Sequence, residues 1–308
     1  MNEVPPRPAR RDLLPRPTTV IAAPRLQQLA GCELVLASET FQHTGSFKFR
    51  AAQKVAASVP HPRVITASSG NFGQAIAYAC ALAGKGCTVV MPATSAQVKV
   101  DAVRAYGGVV DLIDTTQISR GQRVRDLAAL DPAAYLASAY DDDLVIAGNA
   151  SLGLELAALD AGIIVAPVGG GGLTAGIVTG LCHAGSKARV FGAEPLLAND
   201  AARSLREGRI VAHDQEPATI ADGARTVSLG VRNWAILQTG LAGIVEVPED
   251  AIRRAVRELF LLANLKVEPT GALAVAAVLH DPARFRGERV CCVVSGGNVD
   301  PAVYRELI

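Results

Sequence analysis

Residues 64–112, VITASSGNFGQAIAYACALAGKGCTVVMPATSAQVKVDAVRAYGGVVDL, indicate the fold class, because short β-branched runs alternate there with longer helical stretches. The pattern predicts strand, helix, strand, helix and strand over Val64–Ala67, Gln74–Leu82, Thr88–Met91, Val98–Tyr106 and Val109–Leu112. Strands that are joined by helices are typical of a parallel sheet. We therefore expect an open α/β sheet in this part of the chain.

A second alternating series lies further along the chain. It predicts strand, helix, strand, helix and strand over Ile163–Val168, Ala175–Cys182, Arg189–Ala193, Ala251–Leu262 and Val290–Val294. Two α/β units fit 308 residues, and no Ser/Gly-rich linker separates them. The units should share one cleft. Ligands of open α/β sheets bind beyond the carboxyl ends of strands, so the turns that follow the strands are where chemistry is expected.

Four consecutive glycines, Gly169–Gly172, follow one predicted strand. Their backbone N–H groups can approach a phosphate without obstruction, and the dipole of the next helix favours an anion there. Gly170, Gly172 and Ala175 also match the dinucleotide pattern G-x-G-x-x-A, and Glu194 then lies where a ribose ligand belongs. A flexible turn that binds nothing is less favoured, because four glycines cost folding entropy.

Lys48 lies in the segment Thr44–Arg50 among small and aromatic neighbours. A lysine is usually a solvated surface charge, and the chain has only six. Desolvation by such neighbours lowers the pKa of an amine, which suits a nucleophile that forms a Schiff base. The residues alone leave both interpretations open.

Two further turns carry hydroxyl and amide groups. Ser68–Phe72 opens a predicted helix, and a serine at such a position is most often a helix cap. The loop offers more donors than a cap needs, so it also fits a carboxylate site. Ser295–Asn298 is either an ordinary glycine turn or a hydroxyl that is presented at the same edge of the sheet.

The composition excludes several classes of function. Thirty basic and 29 acidic residues give a net charge of +1 without a basic run, so we expect no nucleic-acid partner. The apolar stretches are too short to cross a bilayer, so we expect no membrane partner. Six scattered cysteines favour reduced, mostly buried thiols and a cytoplasmic location. Cys291 and Cys292 are neighbours on a predicted strand, so their side chains should face opposite sides of the sheet.

Taken together, these motifs resemble those of the fold-type II pyridoxal-phosphate (PLP) enzymes, and within that group the threonine/serine dehydratases and serine racemases. The similarity runs from about Leu13 to the C-terminus. It implies an α/β fold of the tryptophan synthase β type, with two open twisted domains and the cofactor in the cleft between them. The larger, PLP-binding domain would comprise residues 1–62 and 141–308, and the smaller, substrate-binding domain residues 63–140.

The resemblance implies a role for each motif. Lys48 would bind PLP, Asn71 would bond its phenolic oxygen, and Ser295 would face its pyridine nitrogen. The implied cofactor-binding residues are Lys48, Phe47, Asn71, Gly169, Gly170, Gly171, Gly172 and Ser295. A neutral hydroxyl at the pyridine nitrogen leaves PLP a milder electron sink than a carboxylate partner does, which suits β-elimination.

Ser69 matches the serine that stands on the opposite face of the cofactor from the lysine in the racemases and many dehydratases. It would bind the substrate carboxylate or move a proton. The implied substrate-binding residues are Ser68, Ser69, Gly70, Asn71, Phe72 and Arg120. Phe72, Ala51 and Tyr140 depart from the usual pattern of the group, and these changes bear on the identity of the amino acid more than on the chemistry.

The segment Glu194–Asp200 matches the metal-binding segment of the group. Glu194, Asp200 and the carbonyl of Ala198 would supply hard oxygen ligands for Mg²⁺ or Ca²⁺. Two solvated acids in a loop are the alternative interpretation.

The sequence therefore predicts a homodimeric PLP-dependent dehydratase that converts a small β-hydroxy-amino acid, such as threonine, serine or a 3-hydroxy analogue, into a 2-oxo acid and ammonia. Racemisation of a serine-type amino acid is the first alternative. β-Replacement, as in the cysteine synthase branch, is less favoured because that branch usually has a Thr-Ser-Gly-Asn-Thr-type loop in place of Ser68–Phe72. Alternatives from another class are an NAD(P)-binding protein and a catalytically silent PLP-binding protein.

Overall fold

The computed structural model describes residues 14–68 and 70–308, which form two β-sheets with helices packed against them. The strands are β1 (Thr19–Ala22), β2 (Glu33–Ser38), β3 (Arg63–Ala67), β4 (Gly86–Pro92), β5 (Val109–Ile113), β6 (Ala134–Ala137), β7 (Ile163–Pro167), β8 (Arg189–Pro195), β9 (Leu241–Val247) and β10 (Arg289–Val294). The helices are α1 (Pro24–Ala30), α2 (Lys48–Ser58), α3 (Asn71–Leu82), α4 (Gln97–Ala105), α5 (Arg120–Leu130), α6 (Asp143–Ala157), α7 (Gly172–His183), α8 (Asp200–Glu207), α9 (Val231–Gly240), α10 (Glu249–Ala263), α11 (Pro269–His280), α12 (Pro282–Phe285) and α13 (Pro301–Leu307).

The larger sheet has the strand order β1-β2-β10-β7-β8-β9 and is parallel except for the pair β1 and β2. The smaller sheet, β5-β4-β3-β6, is parallel throughout. The expected α/β class is therefore confirmed. The strands of the smaller sheet all lie within residues 63–137, and the division of the chain into domains at residues 62/63 and 140/141 stays a prediction.

The central strand β10 shows how the larger sheet is buried on both faces. Cys292 packs with α10 and α11 on one face, whereas Cys291 packs with α6 and α7 on the other. The prediction that these two neighbours face opposite sides is confirmed. All six cysteines are free thiols, and Cys182 is the exposed one among them. Within residues 14–68 and 70–308, no helix is both long and apolar enough to cross a bilayer.

Two helices begin a full three residues earlier than the sequence pattern predicts. α3 starts at Asn71 rather than Gln74, and α7 starts at Gly172 rather than Ala175. The first turn of each helix contains glycine, which the pattern assigns to a loop, but packing of these turns against neighbouring segments stabilises the helical backbone. Both N-termini consequently reach the space between the two sheets.

Candidate active site

A cavity of about 690 Å³ opens where the carboxyl ends of the two sheets face one another. It is lined by almost the whole set of residues that the sequence singles out for cofactor and substrate: Phe47, Lys48, Ser68, Gly70, Asn71, Phe72, Arg120, Gly169, Gly170, Gly171, Gly172 and Ser295. We call this space the reaction cavity. Ser69 lies outside the described residues. Glu194, Ala198 and Asp200 lie elsewhere, near the end of β8 and in the segment that follows it.

Lys48 is the first residue of α2, and its amine lies between two aromatic rings. Nζ is 5.0 Å from the ring centre of Phe47 and 5.7 Å from that of Phe72, and it donates a 2.8 Å hydrogen bond to the carbonyl of Ala139. Burial lowers the pKa of Lys48 to about 8, against an opposing effect of the Glu268 carboxylate. The amine is therefore much closer to neutral at physiological pH than an exposed lysine, as a nucleophile requires.

A buried ion cluster fixes the helix that carries Lys48. Arg50 lies two residues further along α2, and its Nε and Nη2 donate to Glu39 at 2.7 and 2.9 Å. Its Nη1 donates to Glu155 of α6 at 2.7 Å and to Ser151 at 3.0 Å. Both Glu39 and Arg50 are inaccessible to solvent, so the paired geometry compensates for the desolvation of each charge. The start of α2 is thereby tied to α6 and to the turn after β2.

A second network joins the turn after β10 to the smaller sheet. Asn71 donates from Nδ2 to Glu268 at 2.7 Å, and its Oδ1 accepts a 2.8 Å hydrogen bond from Asn298. Asn298 also donates to the carbonyl of Thr44 at 2.7 Å. Gly45 has a φ of +73°, and an added Cβ would overlap Asn298, so the residue beside Thr44 must be glycine. These contacts fix Asn71 at the edge of the reaction cavity.

The glycine turn ends in the N-terminus of α7, which faces the reaction cavity. Gly171 has a φ of +90°, a conformation that disfavours residues with a Cβ. A Cβ at Gly170 would overlap the ring of Tyr140, so the turn and this ring are in close contact. The free N–H groups at the start of α7 can receive an anion of phosphate size, which fits the phosphate of PLP.

The remaining predicted residues differ in how free they are to bind a ligand. Ser68 already accepts a 3.0 Å hydrogen bond from the backbone N–H of Gly73, so its oxygen serves as the expected cap of α3. Ser295 is buried directly after β10, and its carbonyl accepts from the N–H of Phe47 at 3.0 Å. Arg120, the first residue of α5, lies at the rim and pairs with Glu216 at 3.1 Å.

The predicted metal ligands lie close together but outside the reaction cavity. Glu194 is the penultimate residue of β8 and accepts 2.9 Å hydrogen bonds from the N–H groups of Ala201 and Ala202. Asp200, at the start of α8, is buried, and neither of its carboxylate oxygens has a hydrogen-bond partner of normal geometry among the described residues. Its nearby imidazole is that of His213, whose Nε2 lies 3.8 Å from Oδ1. The solvated-loop interpretation is therefore wrong for both acids.

Burial governs the charge of these two acids. It raises the pKa of Asp200 to about 7, and burial together with the Asp200 charge raises the pKa of Glu194 well above its usual value. A buried carboxylate that accepts no hydrogen bond of normal geometry requires a proton or a cation, so the pair fits a hard divalent ion. In the described part of the chain no three His, Cys, Asp or Glu residues cluster as metal ligands, so the carbonyl of Ala198 and water would have to complete the coordination.

Sequence reasoning missed Glu268, which contacts Asn71 and lines the reaction cavity. The one local signal was Pro269, because proline at the first position of a helix marks a helix start and so places the preceding residue beside the N-terminus of α11.

Glu194 does not line the reaction cavity, which removes the support that it gave to the dinucleotide interpretation.

A family model for pyridoxal-phosphate-dependent enzymes matches residues 12–296, nearly the full length of the chain. The chain belongs to this family of PLP enzymes. The β-hydroxyaspartate dehydratase of Paracoccus denitrificans is 35% identical over 293 residues, which cover 92% of this chain and 91% of that protein. The serine racemase of Mus musculus is also 35% identical, over 92% of this chain and 86% of its own length.

Solved structures give the same result for the fold. The T.th. threonine deaminase superposes on this PLP enzyme with a TM-score of 0.88 and 39% identity, over 95% of this chain and 99% of that one. The expected fold-type II architecture is therefore confirmed. Membership of the family also favours PLP over the dinucleotide alternative that the glycine turn left open.

Proposed function

We propose that this PLP enzyme is a dehydratase that converts a small β-hydroxy-amino acid into a 2-oxo acid and ammonia. The observation that carries the proposal is the Lys48 amine, whose pKa is lowered to about 8 in a cavity that also contains a phosphate-sized anion site. Relatives with comparable identity are named β-hydroxyaspartate dehydratase and L-threo-3-hydroxyaspartate ammonia-lyase, which supports a substrate with a hydroxyl on Cβ.

The cofactor would be held by residues that surround it on several sides. Lys48 would bind PLP covalently, and the N–H groups at the start of α7 would bind its phosphate. Phe47 would pack against the ring, Asn71 would donate to the phenolic oxygen, and Ser295 would face the pyridine nitrogen. The networks around Arg50 and Asn298 support this arrangement, because they fix the backbone on both sides of the amine.

Bound PLP supplies an electron sink for a carbanion at the substrate Cα. Lys48 Nζ would be the base that accepts the Cα proton, and its lowered pKa favours this role near neutral pH. The loop Ser68–Gly70 and the N-terminus of α3 would bind the substrate carboxylate. Arg120 at the rim would attract a second carboxylate, as 3-hydroxyaspartate has, in exchange for its pairing with Glu216.

A divalent cation, Mg²⁺ or Ca²⁺, would bind between Glu194 and Asp200 together with the carbonyl of Ala198. The burial of Asp200 without a hydrogen bond of normal geometry and the raised pKa of both acids support this proposal. The ion would stabilise the end of β8 and the start of α8, and none of its three proposed ligands lines the reaction cavity.

We further propose a cytoplasmic homodimer with the two domains expected above, which rests on the family resemblance and on the free thiols.

Racemisation is the second candidate function, because relatives named serine racemase are as similar in sequence as the dehydratases. Both reactions begin with removal of the Cα proton. Racemisation requires in addition an acid on the opposite face of the cofactor, and Ser69 is the candidate for it.

The decisive experiment incubates the purified protein with serine, threonine, 3-hydroxyaspartate and 3-phenylserine, and follows 2-oxo acid release together with the chirality of the remaining amino acid. We expect 2-oxo acid from at least one of the first three. Inversion without 2-oxo acid release would replace the dehydratase with a racemase. Visible PLP absorbance without either reaction would indicate a silent PLP-binding protein.

A further inference from the structure

Tyr140 lies in a wall between two cavities. The reaction cavity and a second cavity of about 540 Å³ are both lined by Ala67, Ala139 and Tyr140. Of these three residues Tyr140 alone has a large side chain. Tyr140 is therefore the bulkiest residue that borders both spaces.

Contacts on both sides hold Tyr140 in this wall. Its ring lies against Gly170, and its carbonyl accepts a 3.0 Å hydrogen bond from Asn233, which also donates to the carbonyl of Gly170 at 2.6 Å. The next residue, Asp141, accepts a 2.9 Å hydrogen bond from the N–H of Arg232. The ring is consequently a fixed partition, because the backbone that carries it is tied to α9.

The second cavity has mixed walls. Val124, Leu229 and Val231 supply apolar side chains, whereas Ser138, Asp141 and Ser228 supply polar ones. It also lies next to the substrate side of the reaction cavity, because Arg120 lines the first space and Gly121, the following residue of α5, lines the second. An aromatic β-substituent could occupy this volume if the partition were absent.

We propose that Tyr140 is a specificity-determining residue, which restricts the substrate to small β-substituents by closing the reaction cavity off from the second cavity. This inference rests on the proposed function for the class of ligand, α-amino acids, and adds the limit on their side chains. Removal of the ring should join the two spaces and admit a phenyl group, whose burial against the apolar side chains of Val124, Leu229 and Val231 is favourable.

Ligand binding tests the partition without requiring turnover. The holoenzyme is titrated with alanine and with phenylalanine, neither of which carries a β-hydroxyl, and the visible absorbance of bound PLP reports the Kd. We expect Tyr140→Ala to improve the Kd for phenylalanine relative to alanine at least about tenfold, as an added apolar contact of this size allows. Tyr140→Phe keeps the ring and should leave the ratio within about twofold of the wild-type ratio.

A second pair of variants tests whether the gain in relative affinity for phenylalanine depends on the second cavity. Val124→Phe alone should leave the wild-type ratio unchanged, because Val124 lines only the second cavity, but in the Tyr140→Ala background it should remove most of the gain. Tyr140→Leu, which keeps an apolar contact with Gly170, replaces Tyr140→Ala if the latter loses PLP. An unchanged ratio in a holoenzyme without the ring overturns the inference.

Turnover separates this inference from the proposed function. If the wild type releases no 2-oxo acid while the binding ratio shifts as expected, the dehydratase proposal fails and the partition stands. If the wild type acts on serine but Tyr140→Ala gains no preference for phenylalanine in binding or for 3-phenylserine in kcat/KM, the partition fails and the dehydratase stands.

Discussion

Asn71 donates a 2.7 Å hydrogen bond to Glu268, although 197 positions separate the two residues in the sequence. Asn71 opens α3 beside the smaller sheet, and Glu268 directly precedes α11 beneath the larger one. The bond therefore connects the two sheets across the reaction cavity. Burial, with a contribution from the charge of Asp222, raises the pKa of Glu268 to about 8.

The raised pKa of Glu268 predicts how stability depends on pH. A carboxyl whose pKa is raised by folding stabilises the protein fully below its unfolded pKa, and this contribution is lost as the pH rises through the folded value. For Glu268 the window extends from 4.5 to about 8. We expect Glu268→Gln to flatten the fall in Tm of the cofactor-free protein across this window, measured by thermal unfolding at a series of pH values. Glu306→Gln, at an exposed position of α13, is the control and should keep the wild-type slope. An equal slope in Glu268→Gln would contradict the buried-carboxyl assignment.

The turn motifs could be predicted from the sequence because their chemistry is local. Glycines before a helix and serines after a strand carry their geometry in the residue types, so the turns Gly169–Gly172 and Ser68–Phe72 could be located from the pattern alone. The resemblance to a known family was needed to assign Lys48 and Asn71 to the cofactor. Glu268 has no such pattern, because its environment arises only when α11 packs beneath the larger sheet. The same holds for Arg50, whose partner Glu155 is 105 positions away.

Lys48→Ala should abolish both turnover and the visible absorbance of bound PLP, because the amine is the proposed covalent attachment and the proposed base. The measurements are the absorbance spectrum after reconstitution with PLP and the rate of 2-oxo acid formation. Lys54→Ala is the matched control, since Lys54 lies on the same helix in an exposed position. Lys54→Ala should retain both properties. A Lys48→Ala protein that retains them would refute the central assignment.

The metal proposal predicts that the substitution Asp200→Asn affects the Tm differently in the absence and in the presence of the ion. Without metal, the stability contributed by protonated Asp200 is lost as the pH rises from 3.8 to about 7, because its folded pKa is raised. Mg²⁺ or Ca²⁺ should therefore raise the Tm of the chelated wild type at pH 8 more than they change its rate. Asp200→Asn should raise the Tm of the metal-free protein and abolish the response to metal.

Glu207→Gln is the control for the metal experiment, because Glu207 lies on the same helix α8 but is exposed. It should respond to Mg²⁺ and Ca²⁺ as the wild type does. If the chelated wild type shows no change in Tm or rate with either ion, Glu194 and Asp200 form a protonated pair rather than a metal site.

Ser69→Ala should distinguish elimination from racemisation, because the two reactions need different groups to transfer the Cα proton. Elimination needs one base, Lys48, whereas racemisation needs a proton donor on each face of the planar carbanion. The variant should keep the PLP absorbance and lose any racemase activity. If Ser69 only helps to bind the carboxylate, elimination should fall by the value of one neutral hydrogen bond, about 1–2 kcal/mol or roughly tenfold in rate.

The measurement that distinguishes these roles of Ser69 is Cα-proton exchange in D₂O, followed alongside 2-oxo acid formation with both enantiomers of serine. In the variant, exchange should continue with the enantiomer whose Cα proton faces Lys48 and should stop with the other. The control is Ser68→Ala, because Ser68 caps α3 through Gly73, so its loss should lower stability without selecting between enantiomers. Racemisation at the wild-type rate in Ser69→Ala would assign the second proton to a different group.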